Sequence, residues 1–317
     1  IYNTKYEDDV VNTTLDRTLH HTANQTLQKM QATRYTYNNN LGLGADFRIN
    51  SRNTLNLDLK CIIPRLNVSQ NLQNTFVGQG FDKTESRHND VTWNRENLEA
   101  TIAYKHIIKP EISDISIKGS VSKIWGHRPS YYFLEGNELN RSNSGGSPFI
   151  TALQGDYIRK YKVGVLSVGA KVSYRSNDIY HQFYSNENGE WIYSESFSND
   201  LLHTELVPAA YLMFASGIGN RFSYKAGLRG EFSTVTLDST HENLKERKNS
   251  FFLAPSLSGT YKLTGNDEVA FAFSRRIGRP SYPQLNPYMS MVDAATCEQG
   301  IMYLTPERSS KLDFSYS

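Results

Sequence analysis

The stretch FSYKAGLRGEF, Phe222 to Phe232, decides the fold class. Phe222, Tyr224, Ala226, Leu228 and Phe232 fall on one parity, and Ser223, Lys225, Gly227, Arg229 and Glu231 on the other. A period of two is that of a β-strand, whose successive side chains point to opposite faces of a sheet. The apolar parity must face either a protein core or lipid, and the polar parity either bulk water or a wet lumen. One strand reads the same in both settings, so the rest of the chain has to separate them.

Composition favours lipid. The chain has 317 residues, 38% hydrophobic and 12% aromatic, with 20 Tyr and a mean hydropathy of −0.55. A soluble domain of this size needs an ample aliphatic core. A membrane barrel needs only every second strand residue apolar, because its interior is wet. The formal net charge of +2 is spread among mixed signs, so nucleic acid is not an expected partner. No apolar run approaches about 18 residues, which excludes a transmembrane helix. The nearest candidate, LVPAAYLMFASGIG from Leu206, is short and interrupted by Pro208. The chain opens IYNTKYEDD and ends KLDFSYS in mid-alternation, which reads as an internal piece of a longer protein.

Matched alternating segments recur outward from the opening stretch. LGLGADFRI and LNLDLKCII flank NSRN; LEATIAY and ISIKGSV flank HIIKPE; ALQGDYI and VLSVGAKVSY flank RKYK. PAAYLMF and FSYKAGLRGEF flank ASGIGN, and FFLAPSLSGTY and VAFAFSRR flank KLTGNDE. Between these pairs lie long polar stretches: Pro64 to about Asn97, Gly126 to about Phe149, the run after Tyr174, and Asp238 to Asn249. Short and long connections thus alternate, as in barrels with tight periplasmic turns and long extracellular loops. The expectation is an all-β, antiparallel transmembrane barrel domain over residues 1–317, of roughly eleven or twelve strands. Lys225, Arg229 and Glu231 then face the lumen.

Catalysis is not expected. There is no GxSxG, HExxH or P-loop, and the 8 His are scattered. His20 and His21 are adjacent and so point to opposite faces of a strand. Cys61 and Cys297 are distant, without a second pair or a CxxC, so neither a disulfide nor a metal site is expected. No cofactor is implied. Recognition would fall to aromatics in the long connections: Trp125, Tyr131 and Tyr132 in WGHRPSYYFLEG, and Trp191 and Tyr193 in GEWIYSES. Such rings suit stacking on sugars, peptides or chelates. The alternative is structural, with Trp125 and nearby tyrosines in an interfacial girdle and Trp191 packing a loop hairpin.

FAFSRRIGRPSYPQLNPY, Phe271 to Tyr288, is more specific. Ser274, Arg275, Arg276, Arg279, Pro280, Tyr282, Leu285, Asn286 and Pro287 match a run that resembles the TonB-dependent receptors of Bacteroidetes, in their outer-membrane β-barrel family. The hairpins from Ala209 and Asn249 resemble the same family, and the likeness extends weakly back to about Tyr37. GIMYLTPERSSKLDFSY keeps Gly300, Leu304, Pro306 and Glu307 of the following segment but has Ile301 and Met302 where the family has Asn-Pro. The resemblance implies a plugged barrel of about 22 strands in the Gram-negative outer membrane. Plug and remaining strands would lie outside this chain. It implies energy-coupled uptake of a siderophore, glycan, peptide or other chelate, without covalent chemistry. Expected partners are outer-membrane lipid, the TonB complex through an N-terminal region, and a surface lipoprotein. The motif residues are expected at a strand end and extracellular rim, with Arg–carboxylate and loop-turn roles. Two alternatives stand beside this one: a barrel acting as adhesin or assembly component, and a soluble β-rich binding protein.

Overall fold

The computed structural model describes residues 2–19, 24–78, 81–239, 244–265, 267–286, 289–293 and 296–317. The strands are β1 (Tyr2–Leu19), β2 (Asn24–Asn50), β3 (Asn53–Gly78), β4 (Phe81–Lys109), β5 (Ser113–Leu134), β6 (Asn137–Gly146), β7 (Phe149–Tyr161) and β8 (Gly164–Glu187). They continue as β9 (Glu190–Tyr193), β10 (Asn199–Ile218), β11 (Phe222–Ser239), β12 (Leu244–Lys262), β13 (Glu268–Gly278), β14 (Met289–Asp293), β15 (Thr296–Gln299) and β16 (Glu307–Tyr316). A short helix, α1 (Tyr282–Leu285), follows β13. All the main strands except β14 and β15 join one 14-stranded antiparallel sheet in chain order. The β6 and β7 strands are successive halves of one stave: both pair β5 on one side and β8 on the other. That stave breaks at Ser147 and Pro148, and proline has no N–H for a ladder. Ser147 N–H instead donates to Asp178 O at 2.8 Å, and Ile124 N–H to Pro148 O at 2.9 Å.

Register aligns the apolar parities into a belt. Leu212 pairs with both Val168 and Leu228, and Leu228 with Pro255. Phe232 stands opposite Phe251, and Leu257 opposite Phe273, which faces Leu312. On the other flank, Leu43 pairs with Leu59, Leu59 with Ala100, Ala100 with Val121 and Val121 with Thr151. Leu43, Leu59, Ile102, Leu153, Leu212, Phe232, Phe251 and Phe314 are exposed, so this belt is no protein core. Its strand length suits the roughly 9–11 residues that cross a bilayer at a tilt. Aromatics stand at its margins: Trp125 and Tyr174 at one, Tyr104, Tyr161 and Tyr261 at the other. This is the girdle pattern of outer-membrane barrels.

The tight connections are as expected at one end. Ser51–Arg52, Pro110–Ile112, Lys162–Val163 and Gly219–Arg221 turn the chain, with Gly219 at φ 61°. RKYK is mostly strand, since β7 runs through Tyr161.

At the other end the sequence reading needs correction. The stretches read as long loops are mostly strand. β3 and β4 remain paired from Asn53↔His106 up to Gly78↔Phe81, and β4 has 29 residues. β5 continues to Leu134, β8 to Glu187 and β11 to Ser239. The physical reason is that ladder hydrogen bonds do not require apolar side chains. Above the membrane the outer face meets water in place of lipid, so Asn, Gln, Ser and Thr occupy both parities and the alternation disappears while pairing persists.

The inner face carries the buried residues. Leu201, His203, Val207 and Ala209 are buried on β10 while Leu202, Leu206 and Leu212 are exposed. Strands β4, β5, β6 and β8 share one cavity with the segment after β13, so the sheet curls around an interior. Among the described residues, β1 and β16 do not pair with each other.

Candidate functional site

The chain between β13 and β16 folds onto the inner wall. Its first turn is tied by Ser281 N–H to Gln284 Oε1 at 2.8 Å and Leu285 N–H to Ser281 O at 3.2 Å. Its return is tied by Gly300 N–H to Asn286 O at 2.7 Å and Ile301 N–H to Gln284 O at 2.8 Å. These bonds bring Leu285 and Met302 together against Leu201 and Leu237 in one buried cluster. The cluster gives the segment an apolar foot in an otherwise polar lumen. Lys248 Nζ donates to Met302 O and lies 5.1 Å from the Tyr303 ring centre.

An ionic ladder anchors the same segment. Arg229 Nε donates to Glu231 Oε1 at 2.6 Å, and Arg279 donates to Glu231 Oε2 at 2.6 Å. Arg279 Nε lies 3.2 Å from Glu205 Oε1, within ion-pair distance but not aligned as a hydrogen bond. Glu205 and Glu231 side chains are each 12% exposed, so water replaces little of these contacts. The ladder continues from Arg229 toward the short-turn end: its guanidinium lies 5.3 Å from the Tyr211 ring centre, and Tyr211 donates to Asp156. Carboxylates on β10 and β11 thus hold an arginine that follows β13. A cavity of about 260 Å³ beside this anchor is lined by His203, Glu205, Lys248, Arg279, Pro280 and Pro306.

A larger chamber of about 1000 Å³ separates the folded-in segment from the far wall. Trp93, Arg95, Arg128, His181 and Asn199 line the wall, and Gln284, Glu298 and Ile301 line the segment. Arg128 lies 5.6 Å from the Trp93 ring centre. His181 shares a 2.6 Å hydrogen bond with Ser144. Burial, with the Arg128 charge beside it, pushes the His181 imidazole below its ordinary range, so it is neutral at pH 7.

The structure divides the residues singled out by sequence. Arg229, Glu231 and Arg279 meet in the ladder. Lys225 is on their face but exposed and outside it. Arg275 lies 5.8 Å from the Phe252 ring centre, and Arg276 is exposed. Pro280 lines the smaller cavity and Asn286 the chamber. Pro287, His20 and His21 lie outside the described residues, as does the Tyr282 side chain.

The five aromatics proposed for recognition do not form one site, and none is in a long loop. Trp125, Tyr131 and Tyr132 belong to β5, Trp191 and Tyr193 to β9. Strand parity separates Tyr131 from Tyr132, whose ring is 6.3 Å from that of inward-facing Phe183. Arg141 is 4.0 Å from the Trp191 ring centre and 5.7 Å from that of Tyr184, and Tyr184 meets Tyr193 edge-on. These rings brace a hairpin on the outer side. Sequence reading missed Glu205, Tyr211, Asp156, Arg95 and Arg128. Each sits on the inward parity of its strand, but only register could bring them together.

A family model described as the outer membrane protein beta-barrel family matches residues 108–317, which include the whole ionic anchor. The chain belongs to this family. It is accordingly an outer-membrane protein of Gram-negative type, with membrane lipid around its belt. Among solved structures, the chain is similar to the ferric citrate transporter FecA in its unliganded form. That match has a TM-score of 0.53 and 13% identity, covering 86% of this chain and 44% of the FecA chain. The family member described here therefore spans less than half the length of that transporter. A second match, to the translocator domain of the autotransporter NalP from Neisseria meningitidis, has a TM-score of 0.31 and 10% identity, covering 86% of this chain and 80% of that one. No curated protein sequence matches the chain.

Proposed function

We propose that this chain is part of the barrel of a TonB-dependent importer of the Bacteroidetes type, which takes up a nutrient without covalent chemistry. The observation that carries the reading is the inward segment between β13 and β16, clamped to the wall by Arg279 between Glu205 and Glu231. The motif from Ser274 to Pro287 supports the same reading, because its Arg279 is that clamp. A folded-in segment narrows the lumen, as a selective importer requires and a free-flowing pore does not. The exposed belt edges support a larger barrel, since β16 has no further neighbour and β2 has none on the β1 side below Tyr2↔Leu41 among the described residues, and unpaired backbone groups in lipid cost several kcal/mol each. Further strands and a plug would complete it, and the plug would contact the inner-membrane TonB complex. The nutrient is a siderophore, glycan, peptide or other chelate, and a surface lipoprotein is a fitting partner.

The test begins with the intact parent protein, purified from outer membranes, by mass and N-terminal sequence. A globular domain preceding Ile1, together with nutrient uptake that stops when the proton-motive force is collapsed, is the expected result. A parent without such a domain, or uptake indifferent to the proton-motive force, would overturn active import and leave an adhesin or assembly role.

A further inference from the structure

We propose that the chamber facing β4, β5 and β8 binds a hydroxylated carboxylate, such as an acidic sugar. Two arginines of the lumen behave in opposite ways to two others. Arg229 and Arg279 are neutralised by Glu231 and Glu205. Arg95 and Arg128 line the chamber with no carboxylate partner among the described residues. Guanidinium groups stay charged at every physiological pH and match a carboxylate in two parallel hydrogen bonds. Neutral His181 neither adds to this charge nor opposes it.

A second observation points to a ligand with a ring face as well as a negative charge. Trp93 supplies an indole on the same wall, 45% exposed, and a sugar ring stacks on such a face while its hydroxyls stay in the wet lumen. A ring bearing hydroxyls and a carboxylate answers both features, and about 1000 Å³ is room for more than one such ring. Glu298, across the chamber, disfavours a ligand of high negative charge and so restricts the class.

This inference deepens the import reading and rests on it for the ligand's fate, while binding is measured apart from transport. The intact outer-membrane protein in detergent is titrated calorimetrically with digalacturonate, with tartrate, and with neutral galactobiose. Digalacturonate or tartrate should bind and galactobiose should not; which acid binds tells sugar from free hydroxy acid. Arg95→Gln and Arg128→Gln should each weaken binding about tenfold or more, and raised salt should weaken it further. Glu298→Gln should tighten it about threefold or more, a gain that no unfolded variant could mimic. Heat-modifiable gel migration checks that each variant is folded. Equal affinity for galactobiose, no binding of either acid, or binding indifferent to both arginine substitutions would overturn the proposal. Failure of the energy-dependence test with acid binding intact would remove import and leave this site standing.

Discussion

The same strands run through two regions that obey different rules. In the belt, around Leu212, Leu228 and Phe251, one face is apolar to the last residue and the other carries Tyr211, Arg229 and Glu231. Higher on the sheet, Gln73, Asn71 and Ser69 of β3 face the same way as Leu59 lower down, and the pairing with β4 does not change. The difference teaches that alternation reports what a strand touches, while the ladder itself is indifferent to it.

Placing a charge on the outer face of each region tests that contrast most strongly. Leu228→Arg should destabilise the folded barrel by about 2–4 kcal/mol, the cost of arginine near the bilayer midplane. Gln73→Arg, on the same face of the sheet but above lipid, should stay within about 0.5 kcal/mol of the parent. Unfolding in urea from lipid vesicles measures both. Equal costs would mean that the belt does not meet lipid.

The inner faces can be set against each other next. Glu231→Gln leaves Arg229 and Arg279 facing a neutral amide in a place with little water, at a cost of about 1–3 kcal/mol. The loss should appear first as faster proteolysis within residues 279–306, because Glu231 holds that segment through Arg279. Arg95→Gln breaks no pair and should leave proteolysis unchanged. If Glu231→Gln left the segment as protected as before, the apolar foot of Leu285 and Met302 would be the true anchor.

Legibility in the sequence followed the same division. Phe222 to Phe232 could be read as a membrane strand because lipid and lumen impose opposite polarities on alternate residues. Pro64 to Asn97 could not be read as strand, because an outer face in water in place of lipid imposes no opposite polarity. The inward role of Arg279 was half legible: its motif was recognisable, and an Arg–carboxylate role was expected, but the partners were not. Glu205 and Glu231 are 74 and 48 residues before it by numbering, and only the β10–β11 register brings them to one place. Arg95 and Arg128 carry no local signal, since each is one polar residue among many until β4 pairs with β5.

The smallest effect is expected at the short-turn end, where a single carboxylate ties the β12–β13 turn to β16. Asp267 Oδ1 accepts from the Tyr316 hydroxyl at 3.0 Å, and its other oxygen from Thr264, while its own N–H donates to Thr264 Oγ1 at 3.1 Å. Those hydrogen bonds, from Thr264 first and Tyr316 second, hold its carboxyl below the ordinary value of 3.8. A depressed carboxylate contributes stability in full above its unfolded value and loses it as pH falls through the folded one, so the window lies below 3.8. The contribution is small because the group is exposed to water. Its place of action is nearby: Glu268 and Ser317 exchange backbone hydrogen bonds of 2.8 and 3.0 Å that close the β13–β16 ladder. Asp267→Asn should therefore raise amide exchange at Glu268 and Ser317 relative to the parent at pH 5. The ratio between variant and parent should shrink below the folded value, where the parent has lost the charge as well. A ratio that held constant with pH would mean that the Thr264 and Tyr316 bonds do not depend on the charge, and that the ladder alone closes this end of the sheet.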